Sequence, residues 1–173
     1  IEEHISADER FLNLFAYTGA ASCMARLKGA ETFHVDSAKS TLNWAKRNME
    51  ECKLLNIKWV HEDALKFIRR EVKRGNTYDV VQLDPPAWGL GAKGEKWKLE
   101  ELLGTLIGEA LQLLNKSGVL ILNTYSPKVD LNFIKKICQE LNIPSNRVEN
   151  SELWLKTNSG KELYYGIVTR IIN

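Results

Sequence analysis

The sequence predicts an α/β domain with a doubly wound, mostly parallel sheet that ends in an antiparallel hairpin. The first reason is that short apolar runs of β type alternate with longer amphipathic segments of helical period along most of the chain. The second is that the last two β-rich runs flank Asn158-Ser159-Gly160, which is a hairpin signal. The third is length, because 173 residues suffice for one well-buried core and are too few for two.

Each element follows from a local pattern. The first apolar run, FLNLFAY, ends at Thr18-Gly19, and apolar residues then recur at helical spacing until Gly29. The run YDVVQLD has an unbroken apolar centre, which is typical of a parallel strand buried on both faces. The predicted strands are residues 11–17, 31–36, 56–63, 78–84 and 117–126, and the predicted helices are residues 20–29, 38–55, 64–74, 99–114 and 129–141.

Composition argues against several classes of function. The 24 Lys and Arg nearly balance the 22 Asp and Glu, so a net charge of +2 gives no general case for nucleic-acid binding. The 3 cysteines are widely spaced and the histidines lack metal-ligand spacing, which disfavours a disulfide framework and a metal site and favours a reducing cytoplasm. No apolar stretch approaches the roughly 20 residues of a membrane span, so we expect a cytoplasmic protein with no membrane partner.

Residues 1–173 are interpreted as a single domain, because no repeat or linker-like break in composition interrupts them. The chain starts at Ile1, and IEEH resembles the end of a helix. This indicates a fragment, in which case a separate N-terminal substrate-recognition module would precede it. Neither composition nor pattern specifies an oligomeric state.

The loop after the first predicted strand, FAYTGAAS, is a candidate binding site. Ligands of doubly wound sheets bind beyond the carboxyl ends of the strands, where strand order reverses. A dinucleotide-binding loop needs GxGxxG, whereas this loop has Gly19 alone, so a pyrophosphate ligand is disfavoured. The backbone N–H groups of such a loop suit a carboxylate, although Gly19 is equally consistent with a simple turn.

Acidic residues lie at the carboxyl ends of three further predicted strands. Asp36 suits the two hydroxyls of a ribose, and a helix N-cap is an equally good interpretation. Asp63 suits an amine such as that of adenine, but an N-cap is the stronger interpretation. Asp84 differs, since an N-cap does not require Pro85 and Pro86 behind it. Together the four strand ends favour a nucleoside ligand with an amino-acid end and no phosphate, namely S-adenosylmethionine.

The chain resembles a known family in four segments. It is similar to class I S-adenosylmethionine-dependent methyltransferases, of the group that includes large-subunit ribosomal RNA methyltransferases, in FLNLFAYTGAAS, HVDSAKSTLNWAKRN, HEDALKFI and LDPPAWGLGAKGEKWKLEE, in this order and spacing. The resemblance implies a Rossmann-like sheet of seven strands with the last one antiparallel. It also implies S-adenosylmethionine as the cofactor and RNA, with ribosomal RNA favoured, as the substrate.

The resemblance further implies a role for residues at each strand end. Asp84, Pro85 and Pro86 match the motif that faces the transferred methyl group, and they would be catalytic because the prolines hold Asp84 still. The implied cofactor-binding residues are Phe15, Tyr17, Thr18 and Gly19 at the methionine part, Asp36 and Ser37 at the ribose, Asp63 and Ala64 at the adenine, and Asp84.

Two positions depart from related patterns. In amino-methyltransferases an aromatic residue that stacks on a flipped base directly follows Asn/Asp-Pro-Pro, whereas here Ala87 intervenes before Trp88. Relatives that methylate C5 of cytosine carry a cysteine nucleophile after the fifth strand, where this chain has Tyr125. C5-cytosine chemistry is therefore disfavoured, and nitrogen or oxygen acceptors remain.

The tract that follows the two prolines is rich in glycine, lysine and tryptophan. Trp88, Lys93 and Lys96 are predicted to bind substrate, because lysines meet phosphates and aromatic rings stack on bases. A solvated loop is an equally consistent interpretation of the tract. The other tryptophans are predicted to pack in the core: Trp44, Trp59 and Trp154.

Three other functions remain open from sequence. A methyltransferase of this fold can act on a protein or a small molecule instead of RNA. A nucleotide-binding oxidoreductase has a similar architecture, but the missing GxGxxG argues against it. A binding module that kept the fold without catalysis is the third, and the complete set of Asp36, Asp63 and Asp84 argues mildly against that interpretation.

Overall fold

A computed structural model describes residues 3–90 and 96–173. In these ranges strands and helices alternate as predicted. The strands are β1 (Arg10–Leu14), β2 (Glu31–Asp36), β3 (Lys58–His61), β4 (Tyr78–Leu83), β5 (Trp88–Leu90), β6 (Lys96–Lys98), β7 (Leu114–Thr124), β8 (Val148–Lys156) and β9 (Glu162–Ile172). The helices are α1 (Ala20–Leu27), α2 (Lys39–Glu51), α3 (Ala64–Arg74), α4 (Leu99–Leu111) and α5 (Leu131–Glu140), and a short 3₁₀ turn covers Ser145–Arg147.

The main sheet has seven strands in the order β3-β2-β1-β4-β7-β9-β8. Neighbours from β3 to β7 are parallel, whereas β9 runs antiparallel to both β7 and β8. The predicted doubly wound sheet with an antiparallel C-terminal hairpin is confirmed, as is the implied number of strands. Strand order reverses between β1 and β4, and ligands of such sheets bind beyond the carboxyl ends of the strands at that point.

Both faces of the sheet are buried, which explains the apolar centre of β4. On one face the paired residues Leu12 and Val81 belong to a large core cluster, to which α3, α4 and α5 contribute. On the other face the paired residues Phe11 and Val80 pack in a smaller cluster with Ala25 of α1. Successive residues of a strand therefore point into two different core clusters, so the side chains on both faces of the strand must be apolar.

Some predicted boundaries are wrong by a few residues. β1 ends at Leu14 rather than at residue 17, because Phe15 and Tyr17 have positive φ angles (55° and 47°) that a strand cannot accommodate. Helix α2 ends at Glu51 rather than at residue 55, because Lys53 also has a positive φ of 55°. In both cases the chain turns earlier than the apolar pattern indicates.

Two further expectations differ from the structure. β5 and β6 pair as a small two-stranded antiparallel sheet, so the solvated-loop interpretation, which is equally consistent with the sequence, does not hold for these residues. Trp44 and Trp154 are 57% and 52% exposed, so their predicted core packing is wrong. Trp44 lies off the face of α2 that buries Leu42 and Ala45, and Trp154 lies on the edge strand β8.

Among the described residues, none of the helices combines the length and the apolar character that a membrane span requires. The same residues contain no group of three or more His, Cys, Asp or Glu side chains that could hold a metal ion. Cys23 and Cys138 are buried thiols, Cys52 is exposed, and none of the three forms a disulfide.

Candidate active site

The loop between β1 and α1, residues 15–19, has an unusual backbone. Phe15, Tyr17 and Gly19 all have positive φ, with 85° at Gly19. A Cβ added to Gly19 would lie 3.1 Å from the Cβ of Ala45 and 3.4 Å from Cε1 of His34, tighter than most real Cβ contacts. Gly19 is the N-cap of α1. A glycine suits this position because its backbone is left-handed and because a side chain would be crowded there.

Asp36 fixes this loop from the end of β2. Its Oδ2 accepts a hydrogen bond from the backbone N–H of Tyr17 (2.9 Å). Its Oδ1 accepts from the N–H of Ala38 (2.8 Å) and from Oγ1 of Thr41 (3.0 Å). An ionised carboxylate has about four acceptor sites, so Oδ2 keeps the capacity for one more donor. The N-cap interpretation of Asp36 is wrong, because the N-cap of α2 is Ala38 and Asp36 instead holds the segments on both sides of it.

Loop 15–19 and the ends of β1 and β4 enclose an open cavity of about 190 Å³. Of the predicted site residues, those of the first loop and Asp84 line it, whereas the residues of the β2 and β3 ends lie outside its lining. The lining residues are Asn13, Phe15, Ala16, Tyr17, Thr18, Gly19, Ala20, Ala21, Gln82 and Asp84.

The predicted residues after β2 and β3 have structural partners of their own. Asp63 caps α3, since its Oδ1 accepts from the N–H of Lys66 (3.0 Å), so the stronger of the two interpretations is confirmed. Ala64 is 5% exposed and its side chain belongs to the core. Ser37 is exposed, and its carbonyl oxygen lies 2.9 Å from Nε2 of His61. These residues continue the same edge of the sheet, because Asp36 pairs with His61.

Two polar residues that the sequence reasoning missed, Asn13 and Gln82, form the floor of the cavity. They are direct neighbours on β1 and β4 and are 2% and 8% exposed. Within the described residues, Oε1 of buried Gln82 has no hydrogen-bond partner, which marks it as a group that a ligand can satisfy. A signal was available, because Gln82 interrupts an apolar run two residues before Asp84 and so points to the same face of β4.

A series of buried hydrogen bonds extends from Asn13 in this floor to residues beneath loop 15–19. Nδ2 of Asn13 donates to Oγ of Ser22 (2.9 Å), and that oxygen lies 2.9 Å from Nδ1 of His34. Burial lowers the pKa of His34 to about 4, against the opposing effects of the Asp36 charge and the Tyr17 backbone. His34 is therefore neutral at physiological pH and supports the loop rather than exchanging protons.

Asp84 directly follows β4, is exposed, and lines the cavity. The protein atoms packed around its carboxyl group raise its pKa, whereas the hydrogen bond from Nδ2 of Asn123 to Oδ1 (3.0 Å) lowers it. Behind it, Pro85 is buried and the carbonyl oxygen of Pro86 accepts from Nε1 of Trp97 (2.7 Å). Asp84 therefore lies on a turn that is fixed at both ends.

Trp97 connects this turn to the first loop. Its ring packs on Phe15 with centroids 5.0 Å apart. The predicted substrate residues lie on the adjacent hairpin: Trp88 on β5 is 62% exposed and Lys96 on β6 is exposed. Lys93 falls outside the described residues. The structure thus keeps Trp88 solvent-accessible and gives Trp97 a structural role.

The chain matches one family model and is similar to several ribosomal RNA methyltransferases. A family model described as Conserved hypothetical protein 95 matches residues 1–142. A ribosomal RNA large subunit methyltransferase K/L from Hahella chejuensis is 39% identical over 124 residues, which are 70% of this chain and 17% of that protein. A ribosomal RNA large subunit methyltransferase I from Enterobacter sp. (strain 638) is 28% identical over 149 residues, 81% of this chain and 36% of that protein. The chain thus spans well under half the length of these curated relatives.

Solved structures agree with the predicted fold. A SAM dependent methyltransferase from Agrobacterium tumefaciens superimposes with a TM-score of 0.88 at 33% identity, and the match covers 99% of this chain and 58% of that one. A candidate methyltransferase complexed with SAH, the SMU.776 protein, gives a TM-score of 0.83 at 24% identity over 99% of this chain and 47% of that one. With a family match across residues 1–142, the chain belongs to the Conserved hypothetical protein 95 family, and it is a Rossmann-like domain of the class I S-adenosylmethionine-dependent methyltransferases.

Proposed function

We propose that this domain transfers a methyl group from S-adenosylmethionine to a nitrogen or oxygen atom of RNA, with ribosomal RNA as the substrate and the cytoplasm as its location. The observation that carries the proposal is the cavity at the strand reversal, which loop 15–19 borders on one side and Asp84 on the other. The names of the curated relatives support ribosomal RNA as the acceptor.

The proposed cofactor site extends along the edge of the sheet from β4 to β3. The amino-acid end of the cofactor fits the floor of the cavity, because buried Gln82 offers an unsatisfied Oε1 and loop 15–19 offers backbone groups. The free capacity of Asp36 Oδ2 suits a ribose hydroxyl beside Ser37. At the adenine, Asp63 contributes the oxygen that does not cap α3, and Ala64 contributes its main chain.

Methyl transfer requires alignment of the acceptor with the methyl group more than it requires activation of either one. The sulfonium of the cofactor supplies a methyl group with a good leaving group, so the protein mainly has to hold the acceptor in line. The carboxylate of Asp84 accepts a hydrogen bond or a proton from the acceptor, and its raised pKa makes it a stronger base than an ordinary aspartate. Pro85 and Pro86 keep this carboxylate in place, since their φ angles are fixed and Trp97 binds the Pro86 carbonyl.

RNA contacts are proposed for the β5–β6 hairpin. Trp88 and Lys96 are exposed there, next to the turn that carries Asp84. An exposed indole can stack on a base and a lysine can meet a phosphate, as in other proteins that bind single-stranded nucleic acid. Lys93 is proposed to act with them.

A labelling experiment tests the proposal. The full-length protein is incubated with S-adenosylmethionine carrying a labelled methyl group, together with bulk RNA or with protein extract, and the RNA is expected to gain the label. A thermal-shift comparison of S-adenosylhomocysteine with NADH is expected to show stabilisation by the former alone. Label in protein only, or stabilisation by NADH only, would overturn the proposed function.

A further inference from the structure

Strand β9 is irregular where it passes the end of β7. Its register with β8 shifts between Leu153 and Trp154, which leaves Tyr165 as an extra residue on β9. Next to it, Gly166 has a φ of 117°, and a Cβ added there would clash with the carbonyl oxygen of Thr124. Bulges re-aim side chains and are frequent beside active sites. This bulge brings the β9 backbone into close contact with the end of β7 and presents Tyr165 at that point.

Tyr125 and Tyr165, here called the tyrosine pair, stand close to Asp84. Tyr125 follows β7 directly, two residues after Asn123, which donates to Asp84. A Cβ on Gly166, the neighbour of Tyr165, would lie 3.2 Å from the Cβ of Tyr125. Burial raises the pKa of the Tyr125 phenol, and the negative charge of Asp84 raises it further. The two tyrosines are nevertheless 54% and 57% exposed.

Other aromatic rings in this region already have ring partners. Trp97 packs on Phe15 and donates to the carbonyl of Pro86. Trp154 and Tyr164 pack edge to face with centroids 5.1 Å apart. Among the residues that the structure describes, the tyrosine pair has no comparable ring contact, so its faces are accessible to a ligand.

We propose that the tyrosine pair is the subsite that holds the target nucleobase of an unpaired RNA segment. This inference rests on the proposed function and deepens it. A nucleobase has apolar faces and N–H groups on its edge, and rings beside a carboxylate are complementary to both. A base stacked on the tyrosine pair presents its edge to Asp84, at the mouth of the cofactor cavity. The pair thus supplies the stacking surface that Trp88 would provide if it directly followed the two prolines.

Substitutions of Tyr165 by alanine and by phenylalanine test the proposed subsite. With the full-length protein, labelled S-adenosylmethionine and bulk ribosomal RNA, Tyr165→Ala is expected to raise the KM for RNA by about tenfold or more, the scale of one lost base stack. Tyr165→Phe is expected to restore most of the affinity, because stacking needs the ring and not the hydroxyl. The Kd for S-adenosylhomocysteine, measured by calorimetry, is expected to stay the same in both.

Tyr164→Ala is the matched control. Tyr164 is the preceding residue on β9 and is 50% exposed, but its ring packs on Trp154 and lines a different concavity with Asp130 and Leu131. Its replacement is expected to leave the KM for RNA unchanged. Should Tyr165→Ala fail to fold, as its melting temperature would show, Tyr125→Leu is expected to raise the KM in the same way.

The outcomes separate the subsite from the function on which it rests. RNA labelling with equal KM values for Tyr165→Ala and Tyr164→Ala would overturn the subsite alone, as would a Tyr165→Phe variant as weak as Tyr165→Ala. A wild-type protein that labels protein and no RNA would overturn the proposed function together with the subsite.

Discussion

The two sides of the cleft are built in different ways. On the cofactor side, one carboxylate, Asp36, accepts hydrogen bonds from the N–H groups of Tyr17 and Ala38, all within residues 17–38. On the acceptor side, Asp84 is held by Asn123, 39 residues away, and the neighbouring tyrosines come from the end of β7 and from a bulge in β9. Local polar contacts fix the first side, and long-range packing positions the second.

This difference fits the proposed roles. A cofactor that is the same in every turnover is best met by a rigid, hydrogen-bonded loop, because preorganised groups lose little entropy on binding. A substrate base has to enter and leave, and exposed rings such as Tyr125, Tyr165 and Trp88 bind by stacking without enclosing it. The contrast predicts that substitutions on the two sides affect different kinetic constants.

The largest effect is expected from Asp84→Ala. Methyl transfer should fall by about 100-fold or more, because the acceptor loses its proton or hydrogen-bond acceptor. The Kd for S-adenosylhomocysteine should hardly change, since Asp84 faces the acceptor. Single-turnover labelling and calorimetry measure the two quantities, and Asp84→Asn serves as the variant that keeps the shape. A large loss of cofactor affinity would show instead that Asp84 belongs to the cofactor side.

Gly166→Ala tests whether the acceptor side depends on backbone contact between β7 and β9. We expect a loss of about 2 to 4 kcal/mol in the free energy of unfolding, because the added Cβ meets the Thr124 carbonyl and φ is 117°. Gly160→Ala is the control: its φ is 79°, but nothing lies within 4 Å, so backbone strain alone should cost about 1 to 2 kcal/mol. Equal losses in urea unfolding would mean that the close approach is unimportant.

Asp36→Ala is expected to act on the cofactor side alone. Cofactor binding should weaken by about 1.5 to 3 kcal/mol, the scale of a charge-assisted hydrogen bond. Loss of the bonds to Tyr17 and Ala38 adds to this, because loop 15–19 is then less well ordered before binding. Asp36→Asn keeps an acceptor oxygen and should lose less. A dissociation constant that does not change in Asp36→Ala would contradict the assignment.

The positions of the residues proposed for the cofactor side could be predicted from the sequence, because each lies at the end of a strand whose apolar pattern is local. Gly19 and Asp36 are visible at the ends of apolar runs, as Asp84 is on the acceptor side, and the parallel sheet brings those ends together. The cap on α3 by Asp63 follows from the same local reasoning. The positive φ of Phe15 could not be predicted, because a phenylalanine rarely adopts that conformation and the residue itself gives no sign of it.

The acceptor side was harder to predict because its contacts join distant segments. The sequence contains Trp97 and Phe15, but no periodicity shows that they pack on each other. A register shift in β9 depends on how β7, β8 and β9 fit together, so the position of Tyr165 beside Tyr125 is a tertiary property. Gln82, in the floor of the cofactor cavity, differs from these residues, because a polar residue in a buried run is visible in the sequence and its alternation with Asp84 gives its direction.

The smallest effect is expected from Asn123→Ala, which changes the pKa of Asp84 without replacing that residue. The hydrogen bond from Asn123 favours the charged carboxylate and lowers its pKa, in opposition to burial, which raises it above 3.8. Without that bond the pKa of Asp84 rises further, so the acidic limb of the kcat/KM profile should move to higher pH. The rate above that limb should change little, and Asp84→Asn should lack the limb altogether. A limb that stays in place in Asn123→Ala would mean that another group limits methyl transfer at low pH.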